Sequence, residues 1–138
     1  MSYGIPVGNH YLREAVQTAS PSARLLMLYD RLLGDLTAGQ AAIEAEPTNY
    51  EEANERLQHA QQILLGLEVT VDVTKWAAGE KLRAIYAWMR GQLLEANVRK
   101  DAQLVSDCRE ITDRLRDTWR QAALRALEEG DRSVVNVG

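Results

Sequence analysis

The chain has 138 residues, of which 46% are hydrophobic and 26% are charged, with a formal net charge of −4 and a pI of about 5.2. This length predicts one globular domain that can bury a core without disulfides or metal ions. The acidic balance argues against a nucleic-acid surface, which normally carries a basic face, and against a polybasic membrane contact, although a local basic strip is compatible with it.

Cysteine use and hydropathy set two further limits. Cys108 is the single cysteine, which excludes an intrachain disulfide and a zinc site built from cysteines. No run of about 18 apolar residues occurs, so we expect no membrane insertion. The N-terminus lacks the basic and apolar regions of a secretory signal, and we therefore expect a cytoplasmic protein.

The first 19 residues predict an irregular segment that includes a short helical stretch. Glycine and proline interrupt residues 1–9, and Leu12, Ala15 and Val16 then follow with helical spacing. We expect residues 1–19 to form a flexible N-terminal segment outside the main fold.

Ser20 and Pro21 mark the start of the first long helix. A serine hydroxyl can cap backbone N–H groups that lack a partner, and proline suits the first helical position. Apolar residues then recur with helical period from Leu25 to Ile43, and Pro47 cannot continue the helix. Leu26, Met27 and Leu33 fall outside this stripe, so the helix carries more apolar surface than one buried face needs.

The sequence predicts a second and a third helix after Pro47. Residues 48–51 have the spacing of a capping box, which predicts Thr48 as the N-cap of the second helix. The β-branched run at residues 69–74 marks its end. The third helix is predicted over residues 75–99, with Gly79 and Gly91 in its interior at a cost of about 1 kcal/mol each.

A fourth helix completes the prediction. Asp101 is a good N-cap, and Gly130 is a natural stop. Four amphipathic helices with short connections predict an all-α, antiparallel up-down four-helix bundle over residues 20–129. We expect residues 130–138 to form a loose tail.

Motifs of catalysis and metal binding are missing from the sequence. A di-iron bundle requires Glu-x-x-His, but Glu55 precedes His59 by four residues, and His10 lies in the irregular N-terminus. No glycine-rich loop has the spacing of a phosphate site. Cys108 falls in an apolar helical stripe, which favours a small core residue. We therefore expect no enzymatic activity, no cofactor and no metal site.

The sequence resembles the flagellar secretion chaperone family (FliS) in four places. Residues 11–30 read YLREAVQTASPSARLLMLYD, and residues 59–72 read HAQQILLGLEVTVD. Residues 79–101 read GEKLRAIYAWMRGQLLEANVRKD, and Trp119 matches a tryptophan late in the fourth helix. These motifs occur in family order over residues 10–122. The sequence departs from the family pattern in the turn at residues 74–80 and at Trp88.

The resemblance implies a cytoplasmic, ATP-independent export chaperone that binds flagellin. In this family the C-terminal segment of flagellin, called the client below, folds into helices as it wraps the bundle. The chaperone prevents premature polymerisation and aids delivery to the type III export gate. An export-gate component, a co-chaperone and an anti-sigma factor are further candidate partners.

The candidate partner-binding residues combine this resemblance with the surplus apolar surface. A helix-in-groove site needs apolar side chains beyond those that the core uses, and methionine adapts to varied partners. The family's N-terminal segment can cover part of this surface. The predicted residues are Tyr11, Leu12, Val16, Leu26, Met27, Leu33, Ile63, Tyr86 and Met89. The alternative is a structural bundle without a flagellin client, whose surplus apolar face pairs with a second copy.

Overall fold

The computed structural model describes residues 21–72, 74 and 77–137, with only the backbone for residues 130–137. This part of the chain is helical and contains no strand. The four helices are α1 (Pro21–Glu44), α2 (Tyr50–Thr70), α3 (Gly79–Arg99) and α4 (Ala102–Val137). The predicted all-α class is confirmed, while the predicted N-terminal segment lies outside the described residues.

The turn between α1 and α2 corrects one prediction. Asn49, not Thr48, is the N-cap of α2, and its side-chain oxygen accepts a hydrogen bond of 3.1 Å from the Glu52 N–H. The Thr48 hydroxyl instead donates to the Ile43 carbonyl at 3.1 Å, at the end of α1. The predicted start was wrong by one residue because Thr48 satisfies the preceding helix rather than the following one.

Helix α3 starts later than predicted. Its first residue is Gly79, and Ala78 at the N-cap makes no capping hydrogen bond through its side chain. Gly79 therefore stands at the helix end rather than in the interior. Gly91 does lie inside α3, at an exposed position where an added Cβ would meet no atom within 4 Å.

Helix α4 is longer than predicted. Asp101 accepts a hydrogen bond of 3.0 Å from the Gln103 N–H, as expected of an N-cap. The helix continues through Gly130 to Val137, so the predicted stop at Gly130 was wrong. Glycine ends a helix when it adopts a positive φ, and none of the described glycines does so.

The described residues belong to two compact units. One consists of Asp30–Arg114, and the other includes residues 21–29 and 115–137. Tyr29 is fully buried, and its hydroxyl accepts a hydrogen bond of 3.0 Å from Nε1 of Trp119, within the second unit. Trp119 is therefore a packing residue, in keeping with its predicted place late in the fourth helix.

Within residues 30–114 the four helices pack as antiparallel neighbours. The pairs in contact are α1 with α2, α2 with α3, α3 with α4, and α1 with α4. Because α1 and α3 each contact both α2 and α4, they occupy diagonal positions. The predicted up-down bundle is thus confirmed for this unit.

The core of this unit is built mainly from leucine, alanine and a few larger side chains. Thr112 is a polar residue in this core, and its hydroxyl donates to the Cys108 carbonyl at 2.7 Å. The apolar core residues are Leu32, Leu36, Ala42, Ile43, Ala53, Leu57, Ala60, Ile63, Leu64, Leu67, Leu82, Tyr86, Met89, Leu93, Ala96, Val105 and Cys108. None of the described helices is long and apolar enough to cross a membrane.

Candidate functional site

The surplus apolar residues of α1 lie at the border between core and solvent. Leu26, Met27 and Leu33 are half-buried, and Leu28 is exposed. Leu26 and Leu33 are seven residues apart, which places them on the same side of the helix. In the first two turns of α1, exposure does not follow the predicted stripe, because Leu25 is half-buried like Leu26 and Met27, and Leu28 is 37% exposed.

Three other predicted site residues lie in the core. The side chains of Ile63, Tyr86 and Met89 are 9%, 1% and 0% exposed. The sulfur of Met89 lies 3.6 Å from the Thr112 hydroxyl. In this conformation these side chains offer almost no surface to a partner.

The remaining predicted site residues are Tyr11, Leu12 and Val16. They lie outside the described residues. Their role in covering the client surface stays a prediction.

The structure reveals a polar cluster between α1 and α2 that sequence analysis missed. Asp35 is only 4% exposed, although it carries a carboxylate. One of its oxygens accepts a hydrogen bond of 3.2 Å from Nη1 of Arg56, and the other accepts a hydrogen bond from Nδ1 of His59. Arg56 also donates to Glu52 at 2.9 Å, and hydrogen bonds to Glu52 and Asp35 raise the pKa of Arg56. Asp35 is thus a buried carboxylate held by the guanidinium of Arg56 and the imidazole of His59.

This cluster borders an open groove of about 520 Å³. Its lining residues are Arg31, Gly34, Asp35, Ala38, Glu55, Arg56 and His59. A signal was present in the sequence, because Asp35 falls beside Leu36 within the apolar stripe of α1, where a lone carboxylate requires a partner. Across the described residues, no group of three or more histidine, cysteine or acidic side chains is placed to hold a metal ion.

Several large apolar side chains are also exposed on α2 and α3. Leu65 and Val69 on α2, and Trp88, Leu94 and Val98 on α3, face solvent. Surfaces of this kind are typical of proteins that bind other proteins.

Comparison with known proteins identifies the family. The model of the family described as "Flagellar protein FliS" matches residues 6–126. The chain is 30% identical over 112 residues to the flagellar secretion chaperone FliS of Bacillus subtilis (strain 168), covering 81% of this chain and 82% of that protein. It is 29% identical over 115 residues to the flagellar secretion chaperone FliS of Escherichia coli (strain K12), covering 82% and 83% of the two chains. The helical fold and this match over most of the sequence lead to one conclusion: the chain belongs to the flagellar protein FliS family.

Proposed function

We propose that this protein is a cytoplasmic, ATP-independent chaperone that binds the C-terminal segment of flagellin. It prevents premature polymerisation of the client and aids its delivery to the flagellar type III export apparatus. The observation that carries the proposal is the family match over residues 6–126, together with relatives that are named flagellar secretion chaperones. An export-gate component, a co-chaperone or an anti-sigma factor would be further partners.

The surface of α1 supports this proposal physically. A segment that folds on binding loses conformational entropy, so it needs a broad apolar surface to offset that cost. Leu26 and Leu33 lie on one side of α1, and Met27 lies about 100° around the helix from them; all three are apolar and half-buried. Met27 can adjust its rotamer to different client side chains. We therefore assign the client contact to Leu26, Met27 and Leu33.

A binding role fits the chemistry of the chain better than catalysis does. Cys108 is fully buried, and burial, followed by the nearby charge of Asp107, raises the pKa of its thiol to about 12. A nucleophilic cysteine needs the opposite shift, toward a lower pKa, and access to substrate. Cys108 is therefore a packing residue.

Calorimetric titration of the full chain with a synthetic peptide from the C-terminal end of flagellin tests the proposal. We expect a one-to-one complex and a gain of helical signal in circular dichroism beyond the sum of the separate components. Met27→Ala should weaken binding about tenfold, because it removes a contact in the centre of the apolar surface. Gln58→Ala, at an exposed polar position on α2, is the control and should bind as the unmodified chain does.

Two outcomes contradict the proposal. One is the absence of binding at micromolar concentrations of both components. The other is a stable dimer in sedimentation velocity that the flagellin peptide leaves unchanged, which would favour the self-pairing structural bundle.

A further inference from the structure

The sulfur-containing side chains of the protein differ sharply in exposure. Within the residues that the structure describes, they are Met27, Met89 and Cys108. Met89 and Cys108 are 0% exposed, whereas Met27 is half-buried on α1. The sequence has one further methionine, Met1, which lies outside the described residues. A reagent in solution therefore reaches one of the three described sulfur atoms.

The two buried sulfur atoms are enclosed by the core of residues 30–114. The sulfur of Met89 lies 3.6 Å from the Thr112 hydroxyl, and the Cys108 thiol lies 3.9 Å from the Met89 carbonyl oxygen. Burial also raises the pKa of the Cys108 thiol to about 12, so its thiolate is scarce at neutral pH. Oxidation of cysteine follows thiolate character and exposure, and Cys108 has neither.

Met27 lies in a part of α1 that is open to water. Its neighbours Arg24 and Leu28 are both exposed. A small neutral oxidant such as hydrogen peroxide can therefore approach the Met27 thioether without any opening of the fold.

The reaction of this thioether with hydrogen peroxide is a two-electron oxidation. A lone pair of the sulfur attacks one peroxide oxygen, the O–O bond breaks, and an S=O bond forms. The second oxygen leaves as water, so the peroxide gains the two electrons that the sulfur loses. The product, methionine sulfoxide, is polar where the thioether was apolar.

A sulfoxide at this position opposes the binding of an apolar client. The client would have to remove water from the sulfoxide oxygen, and apolar side chains offer no hydrogen-bond donor in exchange. Burying a polar group without a partner costs more than losing an apolar contact. Oxidation of Met27 should therefore weaken binding more than Met27→Ala does.

We propose that Met27 is a redox-sensitive modification site through which peroxide reversibly switches off client binding. This inference rests on the proposed function, because that function places Met27 in the client contact, and it adds a means of regulation. Methionine sulfoxide reductases return each sulfoxide epimer to the thioether. The oxygen leaves as water, and a dithiol supplies the two electrons as it becomes a disulfide, so the loss of binding is reversible.

The first part of the test measures which methionine reacts. The full chain is incubated with hydrogen peroxide, digested with trypsin and analysed by mass spectrometry. Met27 and Met89 fall in separate tryptic peptides, residues 25–31 and 84–90. The first peptide should gain one oxygen atom at least about tenfold faster than the second. Fragment masses distinguish an oxygen on Met89 from one on Trp88.

The second part measures client binding. The flagellin peptide is titrated calorimetrically into the chain before and after oxidation, and binding should weaken more than about tenfold while the helical signal of the chain stays the same. Treatment with both sulfoxide reductases and dithiothreitol should restore it. Met27→Leu is the matched control, because leucine keeps a similar apolar volume and cannot be oxidised. This variant retains Met1 and should bind equally well before and after peroxide.

Three results would overturn the inference. They are equal oxidation of Met27 and Met89, unchanged binding by the oxidised chain, and a loss of binding on peroxide treatment in Met27→Leu as well. Failure of the proposed function is distinguishable from these results. Absence of binding by the unoxidised chain contradicts the proposed function, whereas equal binding before and after oxidation contradicts the redox inference alone.

Discussion

The backbone of Gly39 in α1 lies directly against the side chain of Leu57 in α2. A Cβ built on Gly39 would stand 2.9 Å from Cδ2 and 3.3 Å from Cγ of Leu57. Leu57 is fully buried, so it has little room to move away. The absence of a side chain at Gly39 is therefore what allows α1 and α2 to approach this closely.

We expect Gly39→Ala to destabilise the protein. Alanine gains up to about 1 kcal/mol of helix propensity, but forcing Leu57 aside costs about 1–3 kcal/mol, so the net change is a loss of about 1 kcal/mol. Gly66→Ala is the matched control, because a Cβ there meets nothing within 4 Å and should add stability. Urea unfolding measures both changes, and a similar gain in the two variants would show that the contact with Leu57 is not limiting.

We expect Asp35→Asn to lower the free energy of unfolding by about 1–3 kcal/mol. The substitution keeps the shape of the side chain but removes its charge and one of the two oxygens that bond to Arg56 and His59. Glu110→Gln removes an exposed ion pair with Arg114 and should change stability by about 0.5 kcal/mol or less. Chemical denaturation of the two variants gives the comparison, and equal effects would argue against a structural role for the buried carboxylate.

We expect the Cys108 thiol of the folded chain to resist alkylation. The rise of its pKa from 9.0 to about 12 lowers the thiolate fraction at neutral pH about a thousandfold, and burial blocks the reagent in addition. Labelling with iodoacetamide should therefore follow unfolding in urea. Rapid labelling of the folded chain would contradict the buried position.

The raised pKa of Cys108 also makes the free energy of unfolding fall at alkaline pH. The unfolded thiol releases its proton near pH 9, whereas the folded thiol keeps it until about pH 12. The contribution of Cys108 is therefore complete below pH 9 and is lost as the pH rises through this range. The unfolding midpoint of the natural chain should drop more steeply there than that of Cys108→Ala, and parallel curves would contradict the assignment.

We expect Lys100 to combine backbone strain with useful side-chain contacts. Its φ of 52° lies in the left-handed region, which costs a residue with a Cβ about 1 kcal/mol. Its ammonium contacts Asn54 at 2.9 Å and Asn97 at 2.8 Å, and it lies 5.8 Å from the centre of the Tyr50 ring. Lys100→Ala keeps the strain and loses the contacts, so it should be about 1 kcal/mol less stable than Lys100→Gly. Thermal unfolding compares the two, and equal stability would show that the backbone is not strained there.

Local sequence signals predicted most of the fold. Pro21 begins α1 and Asp101 caps α4, because capping depends on residues close in sequence. Two predicted helix boundaries were wrong, because a contact with another helix or the continuation of the helix outweighed the local sequence signal. Thr48 bonds back to α1 rather than capping α2, and Gly130 continues the helix instead of ending it.

The candidate site was harder to predict for a physical reason. Helical periodicity predicts which residues of α3 face inward, and Tyr86 and Met89 are buried while Trp88 is 49% exposed. Periodicity does not tell which of the remaining apolar residues a partner contacts. The polar cluster around Asp35 was also hard to predict, because its partners Arg56 and His59 are more than twenty residues away in the chain.

The order of the helices has a consequence for how quickly the protein becomes active. Helices that follow each other in the chain also pack against each other, so most helix pairs form by closing a short loop. The exception is the pair α1 and α4, whose 2.8 Å hydrogen bond from Arg109 to Gln40 spans 69 residues. Helical bundles with such local contacts fold in microseconds to milliseconds, whereas a ribosome takes about 50–200 ms to add one residue. Stopped-flow refolding should show this speed. The bundle would then be complete almost as soon as its last helix leaves the ribosome, and synthesis rather than folding would set the time at which it can act.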